Sequence, residues 1–329
     1  MNIYQIIKHL LIMTVVWLVL VPSGFCGEPL TEINYRLKWL LNTSAAGDIY
    51  ADRGGYFVEN GLRVVVKSGG PERDPIKELE LGRAHFGVAS ADQVIRALSM
   101  GAKVKVIAQL FQINPLQWIY RPDEITVSTP DDLKNKTIGI TFGGIDENIM
   151  KAILAKSRIN ESQVHLYSVR YDFTPFYQGR VDLWPIYRNA QGPIIGARME
   201  KAGETVGYFN PDAHGIHSVA NSVITSDEIL RDQPELVENF LSALLKGWEM
   251  AMDPDNAEKT IAMIHDADRD TPLAVIAEQL SLTRGFIQPN PDIPIGRIDV
   301  EAWKQTEQMM LEQGMIDIPV HIEKALEVR

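Results

Sequence analysis

From Tyr35 to Leu110 the chain alternates short apolar runs with helix-like segments, and each change is marked by glycine, proline or a capping residue. Tyr35, Leu37 and Trp39 alternate as in a strand. Asn42, Thr43 and Ser44 then break the pattern with short polar side chains that favour turns and helix caps. A short helix carrying Ile49 and Tyr50 inward runs to Gly54-Gly55, where glycine accepts the positive φ of a helix end. Arg63 to Lys67 is the next strand. Pro75 opens a helix that Gly82 ends, His85 to Ala89 reads as a buried strand, Ser90 caps a helix with Val94, Ile95, Ala97 and Leu98 on one face, and Val104 to Leu110 closes the series. Strand, helix and strand repeated in this way build a parallel sheet covered by helices on both faces.

The rhythm then restarts. Pro130 to Leu133 forms a short helix, Lys136 to Thr141 a strand leading into Gly143-Gly144, and the following helix places Asp146 and Glu147 in its first turn, where acids favour the helix dipole. Val164 to Val169, Thr174 to Gln178 and Val181 to Ile186 continue as strand, helix and strand. Ser222 to Thr225 returns as a strand before a mostly helical remainder. Two α/β lobes joined by two crossings predict a hinged clamshell. The crossings are expected near Ile125 and Ser222, so that residues 27–125 and 223–329 make lobe one and 126–222 make lobe two.

The N-terminus reads as an export signal, with Lys8, an apolar run from Leu10 to Val21 and a small-residue end at Pro22-Ser23-Gly24. The run is short for a membrane span of about 20 residues. Cys26, the only cysteine, lies at the cleavage zone, but Phe25 precedes it where a lipid-modified cysteine usually follows a small residue. Residues 1–26 are therefore expected to be removed, leaving a periplasmic protein without lipid. Formal charge is -11, and the leader carries one lysine and no acid, so the remainder stands at -12. Such a chain repels phosphate backbones, and with no basic patch a nucleic-acid partner is not expected. The 45% hydrophobic composition suffices for two packed cores.

The run from Trp39 to Phe57, the Gly61-Leu62 step, His85 to Val88, Gly101 to Val104, Asp131 to Lys134 with Lys136 to Gly139, Gly179 to Asp182, and Pro234 to Phe240 together resemble the NMT1/THI5-like family. These are periplasmic substrate-binding proteins of ABC importers, relatives of thiamine-precursor and sulfonate binders. The resemblance covers nearly all the chain after the leader and implies a type II periplasmic-binding fold. It also implies a small-molecule ligand, permease and ATPase partners, and no cofactor; a monomer is expected. Thiamine-precursor members resemble Trp-x-Pro-Asn-Thr-Asn-His where this chain reads Trp39, Leu40, Leu41, Asn42, Thr43, Ser44, Ala45. Ser44 and Ala45 thus stand in for an Asn and a His. In the related fungal pyrimidine synthase a functional His would align with Gln93, and its cysteine-rich iron motif has no counterpart, so synthase chemistry is not expected.

In an open α/β sheet ligands bind beyond the carboxyl ends of strands, which puts Trp39 and Asn42 at the lip of a pocket; a core Trp and a capping Asn are the alternative reading. The turn at Ser90 and Asp92 and the Gly143-Gly144 turn both open helices with free N–H groups suited to an anionic group, although ordinary capping accounts for them too. The resemblance places Trp184, Tyr187, Arg188 and Asn189 in the cleft, where an aromatic wall with amide and guanidinium groups suits a planar polar ligand. Asn221 stands on the second crossing with His214 and His217; with no cysteine and no helical pattern there, no metal site is expected. Asp48, an odd charge where relatives tend to be apolar, either meets a ligand amine or faces water.

No Gly-x-Ser-x-Gly, P-loop or Gly-x-Gly-x-x-Gly occurs, and no catalytic residue is assigned. The expected role is capture of a small planar or anionic molecule for an ABC permease. A periplasmic enzyme, a ligand sensor or a thiamine-precursor binder are the alternatives. The leader reading predicts a mature N-terminus near Gly27 without an acyl chain; intact-mass analysis of the periplasmic fraction checks this, and a lipidated Cys26 overturns it.

Overall fold

The computed structural model describes residues 29–70, 73–170 and 172–328, so the leader and Cys26 lie outside the described residues. The first run contains β1 (Thr31–Arg36), a 3-10 turn (Thr43–Ala45), α1 (Ala46–Arg53), α2 (Tyr56–Glu59), β2 (Leu62–Lys67), α3 (Pro75–Glu80), β3 (Phe86–Ala89), α4 (Ala91–Ser99) and β4 (Val104–Gln109). The second contains β5 (Leu116–Tyr120), β6 (Thr137–Ile140), α5 (Ile145–Lys156), β7 (His165–Ser168), α6 (Thr174–Tyr177), β8 (Trp184–Tyr187), α7 (Gln191–Lys201) and β9 (Gly207–Phe209). The return contains β10 (Ser222–Ser226) and the helices α8 (Asp227–Asp232), α9 (Pro234–Met252), α10 (Ala257–Ala267), α11 (Leu273–Ile287) and α12 (Val300–Glu312).

Lobe one is a five-stranded sheet of order β2-β1-β3-β10-β4. β1 lies parallel to β2 and β3, and β10 inserts antiparallel between β3 and β4. In lobe two β5 pairs antiparallel with β8 and β9, β6 pairs parallel with β7, and the Ile138–Leu183 bridge links the two groups. These pairings correct the expected boundary near Ile125. β5 precedes that residue yet belongs to the second sheet, so the chain leaves the first sheet after Gln109. It returns through Asn221, whose carbonyl accepts from the N–H groups of Leu110 and Phe111 on the outgoing crossing at 3.0 and 3.2 Å.

Two other expectations shift by a few residues. β1 stops at Arg36 instead of running through Trp39, because the loop after β2 closes on this segment: the Gly69 N–H donates to the Trp39 carbonyl at 2.8 Å. A Cβ at Gly69 would lie 2.1 Å from the Leu37 carbonyl oxygen, so only glycine permits this approach. The strand expected from Val181 begins at Trp184, since Asp182 turns aside and its carboxylate accepts the Thr137 N–H at 2.7 Å.

α9 locks lobe one together. Its Phe240 ring stacks on Phe86 at 3.8 Å between centroids and on Phe57 at 5.5 Å, and meets Tyr35 edge-on at 5.1 Å. Aromatic pairs of this kind contribute about 0.5–1.5 kcal/mol each beyond buried area. Lobe two holds separate clusters, one around Trp118, Ile138 and Leu154 and one around Phe176, Trp184 and Ile195. Among the described residues no helix is long and apolar enough to cross a membrane.

α9 crosses α1 closely enough that side chains are excluded at the contact. A Cβ at Gly247 would sit 2.5 Å from the Ala51 Cβ and 2.6 Å from the Gly47 carbonyl oxygen. Gly247→Ala is therefore expected to cost about 1–3 kcal/mol by urea unfolding, as overpacking does. Gly285→Ala, in α11 with nothing within 4 Å of the added methyl, is expected instead to stabilise by about 0.5–1 kcal/mol.

Candidate functional site

Between the lobes lies a cavity of about 430 Å³, a size that suits a small organic ligand. The bend after β1 supplies its lobe-one wall with Lys38, Trp39, Asn42 and Ser44, and Asn221 enters from the crossing. Lobe two supplies the ends of its strands: Thr141 and Gly144 to Asp146 after β6, Val169, Arg170 and Phe173 after β7, and Trp184 to Tyr187 in β8, with Ala190 and Gln191 opening α7. Trp184 is 1% exposed and its ring lies 5.7 Å from Phe173. It is therefore both core and cavity wall.

Of the residues expected at a ligand site, Trp39, Asn42, Gly144, Trp184, Tyr187 and Asn221 come together around this cavity. Asn42 satisfies both readings: it lines the cavity and its Oδ1 accepts the Ser44 N–H at 2.9 Å, capping the turn. The side-chain Oδ1 of Asn221 is buried without a hydrogen-bond partner among the described residues.

The others stand back from it. Ser90 and Asp92 do not line the cavity; the Ser90 N–H donates to Gln93 Oε1 at 3.1 Å and its hydroxyl donates to Asp92 at 2.5 Å. Gly143 also lies outside the lining, its N–H donating to Glu147 Oε2 at 2.6 Å. Asp146 accepts the Thr141 N–H at 2.6 Å. Both helix openings proposed to hold an anion are thus filled by polar side chains of their own helices. Burial pushes the Asp146 pKa up, against the N–H groups that favour its charge.

Arg188 packs its guanidinium 4.0 Å over the Tyr208 ring, outside the lining. Asn189 is buried behind Ser44, where its Nδ2 donates to Thr283 Oγ1 at 3.0 Å and faces Ser44 Oγ at 3.3 Å. Alongside it Gln279 donates to the Ala190 carbonyl at 2.8 Å and accepts from the Thr43 hydroxyl at 2.7 Å. These bonds join the turn after β1, α11 and the end of β8 across the lobes. Asp48 neither faces water nor reaches the cavity; it is 2% exposed and accepts from the Tyr35 hydroxyl at 2.5 Å.

Reading the sequence missed Lys38, Arg170, Asp146, Phe173 and Gln191. Arg170 follows β7 and obeys the same strand-end rule that picked out Trp39. Lys38 was hidden by the overlong strand, in whose alternation it takes the outward face. In the structure it donates to the Tyr187 hydroxyl across the cleft at 3.2 Å.

Two α/β lobes joined by two crossings around a cavity define a periplasmic-binding fold. The chain belongs to the NMT1/THI5-like family, whose model matches residues 42–257. It is 27% identical over 303 residues to the formylaminopyrimidine-binding protein of Halalkalibacterium halodurans, covering 91% of this chain and 90% of that protein. It is 22% identical over 322 residues to the riboflavin-binding protein RibY of Chloroflexus aurantiacus, covering 92% and 87%. The periplasmic aliphatic sulphonate binding protein SsuA of Escherichia coli shares the fold, with a TM-score of 0.72 at 15% identity over 90% of this chain and 97% of that one. So does the desulfurization enzyme DSZB, with a TM-score of 0.64 at 12% identity over 91% and 97%.

Burial raises the Asp48 pKa from the ordinary 3.8 to about 7, although the Tyr35 hydrogen bond opposes the shift. Below pH 4 the carboxyl is protonated in folded and unfolded chains alike. Between pH 4 and 7 the unfolded chain releases the proton and the folded one keeps it, so stability falls as pH rises, by about 4 kcal/mol in all, and levels off above 7. Asp48→Asn keeps an acceptor for Tyr35 and is expected to melt higher than the parent at pH 8, with the difference shrinking towards pH 5. Equal differences in melting temperature at both pH values contradict the burial account.

Proposed function

We propose that this protein is an extracytoplasmic ligand-binding protein that captures a small planar polar molecule between its lobes and passes it to an ABC permease. The observation that carries this is the cavity itself, walled by Trp39, Phe173, Trp184 and Tyr187 from both lobes, with amides and cations set among them. Flat rings bury large area against such walls at little entropic cost, while Asn42, Asn221 and Gln191 supply orienting hydrogen bonds. The names of the formylaminopyrimidine- and riboflavin-binding relatives support a planar heteroaromatic ligand. A thiamine precursor is disfavoured in our reading because Ser44 shortens one polar contact, while Ala45 is buried outside the cavity lining and offers none.

Capture is by lobe closure, with crossings at 110–115 and 217–221 acting as the hinge. The shared fold of DSZB favours one second reading, an enzyme on the same scaffold. Incubation with a bound compound followed by mass analysis separates the two, since a carrier returns its ligand unchanged.

The test is a thermal-shift screen containing aminopyrimidines, flavins, aromatic carboxylates, sulfonates and amines. A true ligand at a hundred times its dissociation constant stabilises the protein by about 2.7 kcal/mol. Trp39→Ala is expected to weaken that ligand by about 2 kcal/mol in calorimetry, as loss of an aromatic anchor does. A screen with no shift, or affinity unmoved by Trp39→Ala, rejects the cavity as the binding site.

A further inference from the structure

Lys38, Arg170 and Asp146 supply the formal charges of the cavity lining. Asp146 is engaged within its own lobe by the Thr141 N–H and by the first-turn backbone of α5. Lys38 is placed differently. It is half-buried, and its ammonium, which has three donors, has one hydrogen bond among the described residues, to the Tyr187 hydroxyl of the opposite lobe at 3.2 Å. No carboxylate forms an ion pair with it among the described residues. Asp92, held by the Ser90 hydroxyl at 2.5 Å, acts on it only through space from outside the cavity lining. Arg170 has neither a hydrogen bond nor an ion pair among the described residues. A half-buried ammonium with unused donors and, at the exposed rim, a guanidinium without a partner among the described residues therefore border a cavity whose one acid is already hydrogen-bonded.

We infer that Lys38 is the charge-selecting residue of this site, and that with Arg170 it takes the anionic group of a planar organic ligand. The inference rests on the ligand-binding reading above. A ligand that fills the cavity strips water from the Lys38 ammonium, and a buried charge without a partner is costly. An anion supplies the partner, a neutral ring leaves the ammonium with a phenol alone, and an amine adds like charge. Burial by itself lowers the Lys38 pKa, but Tyr187 and Asp92 outweigh it and hold it above the ordinary lysine value, so the group is a cation throughout the physiological range.

The experiment is calorimetry on the mature chain with matched pairs that share a ring and differ in charge: benzoate and benzamide, nicotinate and nicotinamide, benzenesulfonate and benzenesulfonamide, with benzylamine as the cation. The acid of at least one pair is expected to bind about tenfold or more tightly than its neutral partner, a difference of about 1.4 kcal/mol. Lys38→Met is expected to abolish that preference, bringing the acid's affinity level with that of its neutral partner, and Lys38→Arg to retain it. Circular dichroism melts of each variant report folding. An acid preference that survives in Lys38→Met, or tighter binding of the amides or benzylamine, overturns the assignment and leaves the ligand-binding reading standing. Failure of every compound, acid and neutral, to bind the parent protein rejects the planar-ligand reading and the assignment with it.

Discussion

Asn189 and Gln279 hold the cleft in register. Each is buried and each bridges the lobes, Asn189 from the end of β8 to Thr283 and Gln279 from α11 to the Ala190 carbonyl. A buried amide that loses such a partner costs about 1–3 kcal/mol, so these bonds fix where the ends of β8 and of the β1 loop stand relative to one another. Thr43 joins the same set through Gln279, which ties the turn carrying Asn42 and Ser44 to the helical return of the chain. The wall of the cavity is consequently set by residues distant in sequence and outside its lining.

Charge is distributed on two scales. The whole chain is acidic, with a formal charge of -11, and the openings of α4 and α5 are occupied by side chains of their own helices, Gln93 at the first and Asp146 and Glu147 at the second. In the cleft lining the cations Lys38 and Arg170 have no ion pair among the described residues. At physiological salt a surface charge is screened beyond about 8 Å, so the acidic exterior has little say over a group already inside the cavity. Lys38 and its neighbours set the local field there.

The succession of strands and helices was legible because it rests on local signals: Pro75, Gly82, Ser90 and Gly101 punctuate apolar runs whose period is unambiguous. What escaped were features set by partners far along the chain. β5 reads as an ordinary apolar strand, and only its pairing with β8 and β9 reveals which lobe owns it. β1 ends early because Gly69 closes on Trp39, a contact that no window around either residue contains. Trp39, Asn42, Trp184 and Tyr187 were found through the strand-end rule and family resemblance. Asp48 misled because a charge at that position suggests water or ligand, whereas a single tyrosine across the lobe-one core receives it. Arg188 and Asn189 follow Tyr187 immediately, yet the chain turns into α7 there and carries both out of the cavity lining.

The two crossings are tied together at two places: the Asn221 carbonyl oxygen accepts from both Leu110 and Phe111, and Asn114 Nδ2 donates to Ser218 Oγ at 2.8 Å. If the lobes turn about this tied pair, as proposed above, Asn221 sits close to the axis, where the lever arm is short. Its side chain nevertheless lines the cavity. In such a closure a ligand group on Asn221 would keep its contact as the lobes move, and that contact would favour neither state. The Lys38–Tyr187 hydrogen bond joins the opposite walls of the cleft away from those crossings, so an opening of the lobes would part it. On the proposed reading the site would separate holding from closing, with Asn221 near the axis retaining the molecule and Lys38 at the far edge sensing the group that draws the lobes in.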